Sequence, residues 1–210
     1  PTHGIPVPPV VADVWDGTTI VEPLKGSNEW YIITSGDELA WIATQANIAT
    51  FSANLLITKD IDLGDKPWLV IGKGVYYNGS INGNHHTIRG LYLNPAAADV
   101  NCGLIGQTNN SLAFIRDLNL EGRMLINTKH TGSNADYGSL IGLNNAMGTI
   151  ENCHSNVTID IADNSDAAYI GGLCGRVKAT HYISCSYSGT FTIAESAKVS
   201  SGWGGLIGTF

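Results

Sequence analysis

Four short glycine clusters set the architecture of this chain: Cys102-Gly103-Leu104-Ile105-Gly106, Gly138-Ser139-Leu140-Ile141-Gly142, Gly171-Gly172-Leu173-Cys174-Gly175 and Gly204-Gly205-Leu206-Ile207-Gly208. Their closing glycines, Gly106, Gly142, Gly175 and Gly208, are spaced by 36, 33 and 33 residues, a period typical of stacked repeats. Between the clusters a second pattern recurs: Ile115-Arg116-Asp117-Leu118, Ile150-Glu151-Asn152-Cys153 and Tyr182-Ile183-Ser184-Cys185, with Ile88-Arg89-Gly90-Leu91 as an earlier member. Beyond the three later segments, Gly122, Val157 and Gly189 align, then Met124, Ile159 and Phe191, then Ile126, Ile161 and Ile193. Apolar residues two apart are what a strand buries on one face. Short strands at this period, separated by Gly and Asn turns without intervening helices, predict a parallel β-helix in which each repeat is one coil. The glycines then serve tight bends and close coil stacking. They are not phosphate loops, because no G-x-x-x-x-G-K-[ST] occurs.

The same alignment reads the cysteines. Leu91, Leu118, Cys153 and Cys185 share one equivalent site, and Cys174 takes the place of Ile105, Ile141 and Ile207. The thiols are therefore read as small hydrophobes in interior ladders, free and buried, with a disulfide among the four as the alternative, and on the first reading Cys153 and Cys185 are expected to react slowly with thiol reagents. Their spacing matches no zinc pattern.

Composition agrees with strands and turns. Charged residues are only 14% of the chain while glycine numbers 25, and Thr, Ile, Val and Asn are frequent. A net charge of −7 gives no basic footprint for nucleic acid or for an anionic lipid surface. No apolar run approaches the roughly 18 to 20 residues that span a bilayer. The chain begins at Pro1 without Met, which reads as a processed or trimmed product.

The N-terminal half is less periodic. Residues 1–12, with Pro1, Pro6, Pro8 and Pro9, read as a linker, and 13–210 as one β-helix domain: 13–100 the cap and first coils, 101–210 the repeats. Trp30-Tyr31-Ile32-Ile33 is a short strand. Ser35-Gly36-Asp37-Glu38 has the form of a capping box, followed by Leu39, Ile42, Ala43 and Ala46 on one helical stripe. This helix, over 35–48, is expected to cap the open end of the solenoid, since a bare terminal coil offers unpaired strand edges. Leu55 to Leu63 reads as a half-buried strand interrupted at Lys59, with turns at Asn78-Gly79 and Asn82-Gly83-Asn84 before a strand from Thr87 to Leu93.

Candidate chemistry is sparse. Asp60 and Asp62 share a strand face, the geometry a calcium ion or an acid/base pair uses, but two solvated carboxylates at a strand end look the same in sequence. His85 and His86 alternate to opposite faces within an Asn-rich turn, which favours a structural role. His130, His154 and His181 lack a repeated Asp or Ser partner, and H-E-x-x-H is absent. Trp15, Trp30, Trp203, Tyr76, Tyr77, Tyr137 and Tyr169 are either stacking platforms for sugar rings or packing residues.

The Gly-Leu-Ile-Gly clusters with the Ile-x-Asn-Cys segment resemble the GLUG repeat of bacterial surface proteins, which include adhesin-like proteins of gut Gram-negative bacteria and a region of streptococcal IgA peptidases. The N-terminal half is similar to the segment preceding such repeats, through Trp15-Asp16-Gly17-Thr18, Glu22-Pro23, Glu38-Leu39-Ala40-Trp41, Asp60-Ile61-Asp62-Leu63, Trp68 to Gly72, and Gly79 through Asn82-Gly83-Asn84 to His86-Thr87-Ile88. Asn82 stands where Asp is common, His85 where Gly is usual and Val70 where Pro is usual. The resemblance covers residues 14–210 and implies an all-β, right-handed parallel β-helix on an exported surface protein, anchored upstream of Pro1.

The function expected on these grounds is a non-enzymatic, extracellular or cell-surface module for adhesion or ligand binding. Its partner would be a host or microbial surface glycan or protein, with no cofactor, metal or nucleic acid. Because Gly205 to Phe210 stops inside a repeat, end-to-end self-association or continuation beyond Phe210 is also expected. The alternatives are a carbohydrate-active β-helix enzyme using Asp60 and Asp62, and a purely structural stalk.

Overall fold

The computed structural model describes residues 14–130, 135–178 and 180–209; the linker expected over 1–12 lies outside the described residues. Among the described residues the chain is a parallel β-helix of strands with a single helix, Gly36–Ala46. In the long sheet, Tyr31–Ile33, Leu55–Ile57, Ile81–Leu93, Ile105–Ile126 and Ile141–Ile161 follow one another in parallel pairing. A shorter parallel sheet stacks Asn101–Cys102, Asp136–Gly138, Asp166–Gly171 and Lys198–Gly204. The one antiparallel pairing among the described strands joins Leu24–Lys25 to Tyr31–Ile33 at the start of the stack.

Each glycine cluster turns the chain from the short sheet into the long one. Asp136–Gly138 belongs to the first, and Ile141 opens a 21-residue strand of the second. The cause is close approach rather than a left-handed backbone. A Cβ on Gly142 would lie 2.6 Å from both Asp136 O and Cys102 N, and one on Gly138 would lie 2.6 Å from Gly175 N. Behind the corner, Ile105, Ile141, Cys174 and Ile207 stack in register as the spacing predicts. Leu118 lies opposite Cys153, Met124 and Phe191 flank Ile159, and Ile126 and Ile193 flank Ile161. Aliphatic ladders of this kind fill the core, where each coil buries the next at about 25 cal/mol per Å² of apolar surface.

The earlier member of the second pattern is a correction. Ile81, not Ile88, pairs with Ile115; His86 pairs with Leu118, and Leu91 with Gly122. Ile81 and Ile88 are both buried on one strand, and it is the first that meets Ile115. Just beyond that pair the strand bulges: three residues lie between Asn82 and His86 where one lies between Arg116 and Leu118, and Asn84 and His85 take up the excess at φ 50° and 64°. Asn82 to Asn84 therefore lies within the strand Ile81–Leu93 instead of preceding it. The expected strand from Leu55 to Leu63 is likewise two, Leu55–Ile57 and Ile61–Asp62, broken around Lys59 and Asp60.

All four cysteines are free thiols. Cys102, Cys153 and Cys174 are buried, but Cys185 is only half-buried, so slow reaction is not expected of it. Its position belongs to an inward ladder, yet among the described residues no further coil lies over it.

The helix starts as its capping box predicts, with Ser35 Oγ accepting the Glu38 N–H at 3.3 Å. Glu38 reaches back one residue further than the usual box, its Oε2 accepting from Thr34 N at 2.6 Å and Thr34 Oγ1 at 2.9 Å. Leu39, Ile42, Ala43 and Ala46 are buried as one stripe, in the same core as Trp15, Ile33 and Leu55. Among the described residues no helix is long and apolar enough to cross a membrane.

Candidate functional site

Asp60 and Asp62 both face outward around buried Ile61, but each is tied to the next coil. Asp60 Oδ1 accepts Thr87 N–H at 3.0 Å and lies 3.1 Å from His86 Nδ1. The Thr87 amide, then His86, hold its carboxyl below the usual range. Asp62 Oδ2 accepts from Arg89 Nε at 2.9 Å while its Oδ1 accepts from Gly64 N at 2.8 Å. The histidines reach opposite ways along the stack, His86 to Asp60 and His85 to Asp117 at 3.7 Å. Among the described residues no group of three or more His, Cys, Asp and Glu side chains is placed to hold a metal ion.

Two histidines gain partners that sequence spacing concealed. His130 Nδ1 lies 2.6 Å from Asp166 Oδ1, across one coil. His154 Nδ1 lies 2.8 Å from Ser186 Oγ, and its Nε2 lies 2.9 Å from Asn152 Oδ1. Asn152 Nδ2 donates to Asp117 Oδ1 at 2.7 Å, which leaves Asn152 Oδ1 to accept from Nε2–H. In the tautomer that carries its hydrogen on Nε2, Nδ1 accepts from Ser186 O–H. The signal for such pairs is a separation of about one coil, legible only once the register is known.

Asp136 is the buried charge of the molecule's middle. It is 0% exposed and its Oδ2 accepts from Arg176 Nη2 at 2.8 Å, while its Oδ1 has no partner among the described residues. Burial pushes its carboxyl up to about 6, against the pull of Arg176. The arrangement is structural: Arg176 comes from the next coil and packs under the Tyr169 ring, 5.2 Å from its centroid.

The aromatic residues divide. Trp15, Tyr77 and Tyr137 are core residues, with Trp15 packed edge-on to Trp68 at 5.5 Å and Tyr77 Oη donating to Ala53 O at 2.8 Å. Trp30, Tyr76 and Tyr169 are partly exposed, and Trp203 is 63% exposed. Trp30 pairs with Phe114, a residue the sequence reading did not single out, at 6.0 Å between ring centroids and 37° between planes. Arg116 lies 5.0 Å over the Phe114 ring.

These side chains line a surface pocket of about 260 Å³ with Asn28, Leu56 and Asn82. The ladder builds it, since Leu56, Asn82 and Arg116 are register partners on successive coils. The hairpin completes it: Gly26 N donates to Trp30 O at 2.8 Å, and Asn28 Oδ1 accepts from Trp30 N at 3.2 Å, which sets Trp30 over the coil of Phe114. Two aromatic faces, two amides and a guanidinium in a shallow pocket suit a polyhydroxylated ring, apolar on its face and polar at its rim.

No family model and no curated protein matches the chain. Among solved structures, that of a protein of Bacteroides ovatus described as a "putative immunoglobulin A1 protease" is similar over 88% of this chain and 86% of that one, at 13% identity and a TM-score of 0.45.

Proposed function

We propose that this chain is a non-enzymatic, GLUG-type β-helix module of a bacterial cell-surface or secreted protein, and that it binds a glycan. The observation that carries this reading is the Trp30–Phe114 pocket with Asn28, Asn82 and Arg116 at its rim. A pyranose ring stacks on the aromatic pair while the amides and guanidinium engage its hydroxyls. The repeat resemblance is what supports a location at the outer surface. A glycan array with the intact chain tests it: a saturable hit is expected, weakened roughly tenfold or more by Trp30→Ala or Phe114→Ala. Binding that ignores both substitutions, or no binding at all, overturns the reading, and the second result leaves a mechanical stalk.

A carbohydrate-active enzyme is the second reading, favoured by one observation other than Asp60 and Asp62. The chain Ser186–His154–Asn152–Asp117 is ordered as a nucleophile, a base and two orienting groups. It beds against a pocket of about 290 Å³ lined by His154, Asn119, Glu121 and Ser188. Deacylation of an acylated polysaccharide, lost in Ser186→Ala, is the activity it predicts. Equal acetate release by the wild type and that variant excludes it.

A further inference from the structure

Cys153 and Cys185 face each other on adjacent coils. Ile183 is opposite Glu151 and Ser186 opposite His154, so Cys185 falls opposite Cys153. Neighbouring strands lie about 4.8 Å apart, inside the roughly 4.4 to 6.8 Å Cα separation that a disulfide spans. Both thiols lean toward the preceding coil, Cys153 Sγ to Ile115 O at 3.6 Å and Cys185 Sγ to Ile150 O at 3.4 Å. Turning the Cys153 side chain toward the following coil therefore brings sulfur to sulfur. The backbone of Cys185 can accommodate the closure, because it lies in the break between the strands His181–Ile183 and Ser186–Tyr187, beside Ser184 at φ 52°.

The two thiols are unlike in the way an exchange pair needs. Cys185 is half-buried, and the facing Cys153 thiol draws it down to about 7. Cys153 is buried, and the facing Cys185 thiol, with burial, pushes it up. Cys102 and Cys174 are buried with thiols raised to about 12, which removes them as competitors.

We propose that Cys153 and Cys185 form a thiol–disulfide exchange site, which small-molecule disulfides close into a cross-link that staples the last described coil to the one beneath it. The Cys185 thiolate attacks one sulfur of the external disulfide, forming a mixed disulfide and expelling one thiolate, which takes up a proton. Cys153 then gives its proton to water, attacks Cys185 Sγ and expels the second thiol. One external disulfide is reduced to two thiols, and one protein disulfide forms.

The test is oxidation of the intact chain by oxidised glutathione, followed by acid quenching, alkylation and peptide mapping without reduction. The expected product is a peptide pair linked through Cys153 and Cys185, with Cys102 and Cys174 alkylated once the chain is unfolded, and a higher melting midpoint than the reduced form. A link to Cys174, a lasting glutathione adduct on wild-type Cys185, or four unmodified thiols overturns the proposal. In Cys153→Ser the cross-link should be replaced by a stable glutathione adduct on Cys185. Its absence from the folded variant overturns the order of attack, and the wild-type map stands alone where the variant does not fold.

Discussion

The first coil and the last described coil are both built on inward-facing apolar rows and are finished differently. At the first, Ile33, Leu55 and Ile57 are fully buried beneath a helix that contributes Leu39, Ile42, Ala43 and Ala46 to the core. At the last, Ile193 is 40% exposed, although its ladder partners Ile126 and Ile161 are 0% and 2% exposed. The residue type and the register are identical along that row. Burial in a solenoid is thus conferred by the neighbouring coil, and a residue's own sequence context fixes only which way it faces.

The sharpest break of this comparison is one substitution made in two places. Ile141→Asp, within the covered stack, should leave no folded chain by circular dichroism, since an uncompensated buried charge costs several kcal/mol. Ile193→Asp should fold, with its midpoint only slightly lowered. Equal loss in both variants would mean that the last coil is as closed as the middle.

Next in size is the pH response of Asp136, whose burial depends on coverage by the next coil. Its folded carboxyl sits at about 6, above the unfolded value of about 3.9. The folded state therefore holds this proton more tightly. The resulting stability is fully present below about pH 4 and is lost as pH rises through about 6, an effect on the order of 3 kcal/mol. Melting midpoints of the wild type minus those of Asp136→Asn should fall across that window. Parallel curves would show that Asp136 is not shielded.

The smallest effect is at the closed end itself. Ser35→Ala removes the side chain that caps the helix and should lower urea-unfolding stability by about 1 kcal/mol. No measurable change would mean that Glu38, through Thr34, holds the helix start alone.

Legibility followed periodicity. From Gly103 onward the clusters, the Cys153 and Cys174 ladders and the rows through Ile159 and Ile161 could be read because each coil repeats its side chains at nearly constant length. The earlier coils are shorter and bulged. Ile81 and Ile88 are both buried isoleucines of one strand, seven positions apart, and no local pattern says which meets Ile115, so the match of Ile88 to Ile115 failed; nor does a hydrophobic pattern mark the two residues that Asn84 and His85 insert. The candidate pocket was half legible: Trp30 stood out by type, but Phe114 and Arg116 join it from a distant coil, and only the register of Leu56, Asn82 and Arg116 brings them together. The partners of His130 and His154 were hidden for the same reason.

The sequence by itself determined the solenoid, its corners and its inward rows, because glycine spacing and apolar alternation act locally and repeat. Tertiary structure alone decided which carboxylate is buried, which thiol is open and which aromatics meet. Those properties belong to contacts between coils, set by stacking register and by whether another coil lies above.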